Sequence, residues 1–187
     1  MNKPTGGTRN FSSKPSTLKK RRKEFDNVLS KGDYIESYFD KSGGYYVMHK
    51  NHNKIVHIGE LGEGNRDDNR EDYAAKILAS KGYRIYMMGE KSYIDKVKKS
   101  DGFGEHSVID FKTINNTGSR TIDKALVKAR EQNADVVVLI QNTPKMDRHY
   151  VDEQIQRYTD RTSESERGSL KYVWVVGLSG RVHRRKI

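Results

Sequence analysis

Asp101 stands nine residues ahead of the triplet Asp110-Phe111-Lys112, with Gly102 and Gly104 on the path between them. On a β-strand, positions 110 and 112 point to one face, with Cα atoms about 6.6 Å apart, while Phe111 points to the other and can enter a core. A hairpin returning through the glycines brings Asp101 onto the neighbouring strand beside Asp110. Two carboxylates at that spacing repel each other unless a cation lies between them. Mg²⁺ (or Mn²⁺) answers that need because it prefers oxygen ligands and keeps waters of its own. Such an ion activates water and screens the charge of a phosphoryl group under attack, and an ammonium at 112 orients or deprotonates the nucleophile. The chemistry this spacing permits is hydrolysis of a phosphodiester.

Two further side chains are candidates for the same place. Glu71 sits at the start of an expected helix and offers a third carboxylate for the metal. It also falls three residues after Asp68, the capping-box spacing, which explains a glutamate there without any chemistry. Gln132, ending a second helix, is a weaker candidate that could meet the attacking water or a substrate phosphate. His49, His52 and His57 lie close enough in sequence to raise a zinc site, but no fourth ligand is evident. With no cysteine in 187 residues, disulfides, thiolate catalysis and cysteine-based zinc sites are excluded.

The elements that must position these groups are legible from periodicity. A helix is expected over 68–81, with Ala74, Ile77 and Leu78 on its apolar face and Gly82 at its C-cap, followed by a strand over 83–88. The glycine hairpin has its second strand over 107–114. A helix over 121–132 carries Ile122, Ala125, Leu126 and Ala129 at i, i+3, i+4 and i+7. The uninterrupted apolar run DVVVLIQ has the pattern of a strand covered on both faces. A helix over 147–162 and the strand YVWVVGL follow, with residues 181–187 as an edge strand or tail. Upstream, 24–39 fits short helical turns broken at Lys31-Gly32-Asp33, and YYVMHK and KIVHIG read as two strands about a polar turn. The order predicts an α/β (α+β) layer fold with a mixed central sheet flanked by helices. It divides into a basic arm over 1–23, disordered when unbound, a helix and β-hairpin extension over 24–65, and a core over 66–187.

Charge is distributed unevenly. Residues 1–23 hold eight basic residues and no acid, and residues 181–187 hold four more, so the body between is close to neutral although the chain carries +11. A near-neutral body with two basic arms suits an anionic polymer, since each cation that meets a phosphate releases condensed counterions. Lys19, Lys20, Arg21, Arg22 and Lys23 in one arm, and Arg184 and Arg185 in the other, are the expected nucleic-acid contacts. The longest apolar run falls far short of a bilayer span, so membrane insertion is not expected. The first residues lack the apolar stretch of a secretory signal peptide.

The order of helix glutamate Glu71, then Asp101, then Asp110-Phe111-Lys112, followed by IDKALVKAREQ running into ADVVVLI, resembles the PD-(D/E)XK nuclease superfamily. Within it the chain is most similar to the C-terminal toxin nucleases of contact-dependent growth inhibition systems and to related domains of phage minor capsid proteins, over about residues 43–187. Ser100 replaces the usual proline, and Asp110 fills a slot often held by glutamate. The resemblance implies an αβββαβ core and a metal-dependent endonuclease acting on tRNA or DNA. Glu71, Asp101, Asp110 and Lys112 would inherit the catalytic roles, and the three carboxylates would be the metal ligands. It also implies an immunity protein as partner and a cytoplasmic site of action after delivery into a target cell. Two alternatives stand beside it: a non-catalytic nucleic-acid-binding module on the same scaffold, and a metal-independent ribonuclease toxin using His106 or His149.

Overall fold

A computed structural model describes residues 14–52, 56–89, 101–104 and 107–187. In chain order they form α1 (Pro15–Leu29), β1 (Tyr34–Phe39), β2 (Tyr45–His49), α2 (Glu71–Ser80), β3 (Arg84–Met87), β4 (Gly102–Gly104) and β5 (Ser107–Ile114). There follow α3 (Thr121–Glu131), β6 (Val136–Gln141), α4 (Arg148–Arg161), α5 (Glu164–Arg167), β7 (Tyr172–Val176) and β8 (Val182–Lys186). All eight strands lie in one mixed sheet in the order of the chain, β1 to β8. The pairs β2–β3, β5–β6 and β6–β7 are parallel and are joined through α2, α3 and α4, while the rest are antiparallel. The stretch α2-β3-β4-β5-α3-β6 is the expected αβββαβ order, and β1 and β2 extend the same sheet.

Alternation along the strands divides the molecule into layers. Tyr46, Met48, Ile85, Met87, Ile109, Phe111, Val136 and Val138 face α2 and form one core with Ala75 and Leu78. Val137, Leu139, Val173 and Val175 face the other way and pack with Ile122, Leu126, Val151 and Tyr158 of α3 and α4. Tyr45 and Val47 share that second face, where Phe25 of α1 covers them. The second face is therefore roofed by α1 over β1–β3 and by α3 and α4 over β5–β7. The floor between those roofs is β4 and the first half of β5.

Several expectations are corrected. Residues 15–23, expected within a disordered arm, begin α1, while residues 1–13 lie outside the described residues. The helix is anchored by tertiary contacts that its composition does not advertise. Phe25 is 4% exposed with Phe39 and Tyr45 rings 5.3 Å away, and Arg21 donates to the Gly82 carbonyl at 2.7 Å. Residues 34–39 form a strand rather than helical turns, because β2 offers them a ladder. KIVHIG does not supply the second strand: 53–55 lie outside the described residues and 56–58 form no regular element, so the hairpin is β1–β2. The capping box at Asp68 does not form either. The N-cap of α2 is Arg70, and Asp68, 4% exposed, instead accepts from Arg70 Nε at 2.7 Å and from Asn142 Nδ2 at 3.0 Å.

Candidate active site

β4 lies close against β3. A Cβ on Gly102 would come within 2.4 Å of the Tyr86 carbonyl oxygen, so glycine is required where the strand turns out of Asp101. Asp101 immediately precedes β4, and its backbone is held by Met88 N–H donating to its carbonyl at 3.0 Å. Its carboxylate accepts from the Phe111 amide at 2.6 Å, across the hairpin. That bond places Asp101 beside Asp110, which is completely buried, while Phe111 points into the opposite core as expected.

Lys112 is on the same face as Asp110. Its Nζ donates to Asp110 Oδ1 at 2.6 Å and to Gln132 Oε1 at 3.3 Å, and lies 4.0 Å from Asp101 Oδ2. The structure thus gathers Asp101, Asp110, Lys112 and Gln132 where β4 and β5 meet the end of α3, with Asp110 buried and the Lys112 and Asp101 side chains 23% and 13% exposed. Glu71, the first residue of α2, acts electrostatically on Asp101 but keeps its oxygens engaged elsewhere. Oε1 accepts from Asn69 at 2.9 Å, and Oε2 meets His52 Nε2 at 3.2 Å. Among the described residues, no three His, Asp or Glu side chains are placed together to hold a metal ion.

The electrostatics are those of a site short of positive charge. Burial, then the Glu71 carboxylate, and to a lesser degree Asp110, push the Asp101 carboxyl up to about 8, against the pull of Lys112. Asp110 Oδ2 is buried with no hydrogen-bond partner among the described residues, a costly state for a carboxylate oxygen. An orphaned oxygen beside a carboxyl destabilised by its neighbours is a local excess of negative charge of the kind a divalent cation relieves, and Asp101 and Asp110 are the two groups here whose oxygens suit one.

His52 is the residue whose role sequence reasoning missed. It is 9% exposed, with Nδ1 2.6 Å from the Met88 carbonyl oxygen and Nε2 turned to Glu71. Burial disfavours its charge, but Glu71 and the Met88 carbonyl more than offset this and raise its pKa. Only its grouping with His49 and His57 was visible in sequence, and those two engage Asn51 N–H and Asp72 instead. Asn69 and Thr113 complete the support: Asn69 Oδ1 accepts from Glu71 N–H at 3.2 Å, and Thr113 Oγ1 accepts from Arg70 N–H at 3.0 Å.

The remaining expected contacts are scattered. Lys19, Lys20 and Lys23 are exposed on α1, whereas Arg22 pairs with Asp26 and lies 5.1 Å from the Phe39 ring centroid. Arg184 covers the Tyr83 and Trp174 rings, and Arg185 pairs with Asp152 at 2.8 Å. His149 is exposed, and His106 lies outside the described residues, as does Ser100.

No family model matches the chain, and no curated protein matches it. Its fold is similar to that of a chain of the CdiA-CT/CdiI toxin and immunity complex from Burkholderia pseudomallei, with a TM-score of 0.50 and 20% sequence identity, covering 72% of this chain and 96% of that one. At that identity the likeness is one of fold.

Proposed function

We propose that this chain is a metal-dependent endonuclease that hydrolyses phosphodiester bonds in nucleic acid, tRNA or DNA, and acts as a toxin-type effector restrained by an immunity protein. The observation that carries the reading is the convergence of Asp101, Asp110 and Lys112 on one face of the sheet, with Asp110 Oδ2 left unpartnered. The fold shared with a chain from a toxin and immunity complex supports the effector and partner roles.

Asp110, through Oδ2, together with Asp101 and Glu71, would hold the Mg²⁺ or Mn²⁺. When bound, such an ion lowers the pKa of coordinated water and offsets phosphoryl charge. The protein's own groups do the positioning. The Phe111 amide fixes Asp101, and Gln132 and Asp110 together hold the Lys112 ammonium where negative charge grows on the phosphoryl oxygens. His52 and Asn69 hold Glu71 at the edge of the site. Phe103, on the same face two residues from Asp101 and 44% exposed, offers a ring on which an unpaired base can stack.

Purified chain incubated with tRNA, plasmid and single-stranded DNA should cut at least one of them with Mg²⁺ and none with EDTA. Cleavage that persists in EDTA would exclude the metal reading. Cleavage unchanged in Asp110→Ala or Lys112→Ala would exclude the site. Binding without cleavage under any metal would instead identify a non-catalytic nucleic-acid module.

A further inference from the structure

Far from those carboxylates, the carboxyl ends of β6 and β7 and the amino end of α4 enclose a cavity of about 220 Å³. It opens on the same sheet face. The cross-strand row that starts at Asp110 passes through Val137 and Val173 and ends at Arg185 on the cavity wall. Three strand spacings put the two places about 14 Å apart. The packed side chains under α3 and α4 fill the space between them.

The polar wall is made by Arg148, Arg181, His183 and Arg185 with Asp152, over an apolar base of Met146, Val151 and Val175. Asp152 does not neutralise this wall. It accepts from Arg185 at 2.8 and 3.2 Å and from Arg148 at 3.3 Å, one carboxylate against two guanidiniums. Asp147 also lines the cavity and caps the helix end, accepting from Tyr150 N–H at 2.8 Å, so three guanidiniums, those of Arg148, Arg181 and Arg185, face two carboxylates. Arg181 lines the cavity, and its side chain makes no hydrogen bond or ion pair among the described residues. His183 is held below its ordinary value by burial first and then by Arg185, Arg148 and Arg181.

We propose that this cavity binds a phosphate ester, its anion taken by Arg181 and Arg148 and its organic part resting on Met146, Val151 and Val175. Guanidinium forks match phosphate oxygens in geometry and charge. A planar carboxylate is satisfied by one fork, whereas a tetrahedral phosphate can take donors from both Arg148, at the start of α4, and Arg181, just before β8. The volume, below the ~300–1,000 Å³ of drug-sized sites, limits the occupant to about one nucleotide unit. A free mononucleotide and a phosphodiester within a strand present the same chemistry. The site does not depend on the reading of Asp110.

The test is calorimetric titration of the full chain at low salt with inorganic phosphate, AMP and a tetranucleotide with hydroxyl ends. Arg148→Ala/Arg181→Ala is compared with Lys41→Ala/Lys171→Ala, which removes equal charge from exposed positions elsewhere. Arg148 is largely exposed and its ion pair with Asp152 is a surface one, so the fold should tolerate the change. AMP should bind, and its affinity should fall by about tenfold or more in the arginine variant but not in the lysine variant. Tetranucleotide binding that falls in step identifies a nucleic-acid contact, and its absence identifies a free phosphorylated ligand. The proposal fails if no probe binds, or if the two double variants bind AMP equally.

Discussion

Asp101 is a group whose position costs stability. Its carboxyl is pushed up to about 8, by burial first and the Glu71 charge second, whereas in an unfolded chain it titrates near 3.8. Between those values the folded state keeps a proton that the unfolded state has released, so stability falls as pH rises from about 4 to about 8. Asp101→Asn removes that dependence and can still accept from the Phe111 amide. In EDTA its melting temperature should match the parent near pH 4 and exceed it at pH 8, and a pH-independent difference would refute the assignment. Phe103 has the opposite character, an apolar ring left in water beside the carboxylates. Phe103→Ala should weaken single-stranded substrate by about 1–3 kcal/mol, read as a rise in Kd, with little change in melting temperature. Asp110-Phe111-Lys112 was legible as a site because strand alternation alone puts its charges together and its ring apart. His52 was not, since its partners, Met88 and Glu71, lie 36 and 19 residues away.

At the level of elements, what was legible followed the strength of the pattern. α3 and β6 carry uninterrupted apolar signals, and their bounds match the expected ones closely. α1 and β1 carry weak ones: Ile35 and Phe39 have a helical spacing, yet hydrogen bonding to β2 decides in favour of a strand. The loop before α2 shows the same override. Asn142, wholly buried after β6, donates to Asp68 at 3.0 Å and Asn115 at 2.8 Å and accepts from Gly62 N–H at 2.9 Å. This cluster ties the 59–69 segment to the ends of β5 and β6 and so sets the approach to Glu71. Asn142→Ala should destabilise the fold by about 1–3 kcal/mol, because it strips partners from buried polar groups. Urea unfolding measures that directly. A shift of a few tenths would mean the cluster is loosely held.

Across the whole molecule, the exposed lysines of α1 extend the basic character of the first residues along a helix that caps one end of the sheet. If they meet phosphates, replacing Lys19, Lys20 and Lys23 by alanine should reduce the slope of log K against log salt by about 2–3 for duplex DNA, leaving cleavage at saturating substrate unchanged. An unaltered slope would assign those lysines to solvation alone. The strand order has a separate consequence. Because every strand pairs with its immediate predecessor in the chain, no strand must be inserted between two already formed. A polypeptide threaded linearly through a narrow conduit could rebuild this sheet vectorially, each emerging strand docking on the last, with the acidic hairpin assembled midway and sealed only once α3 arrives.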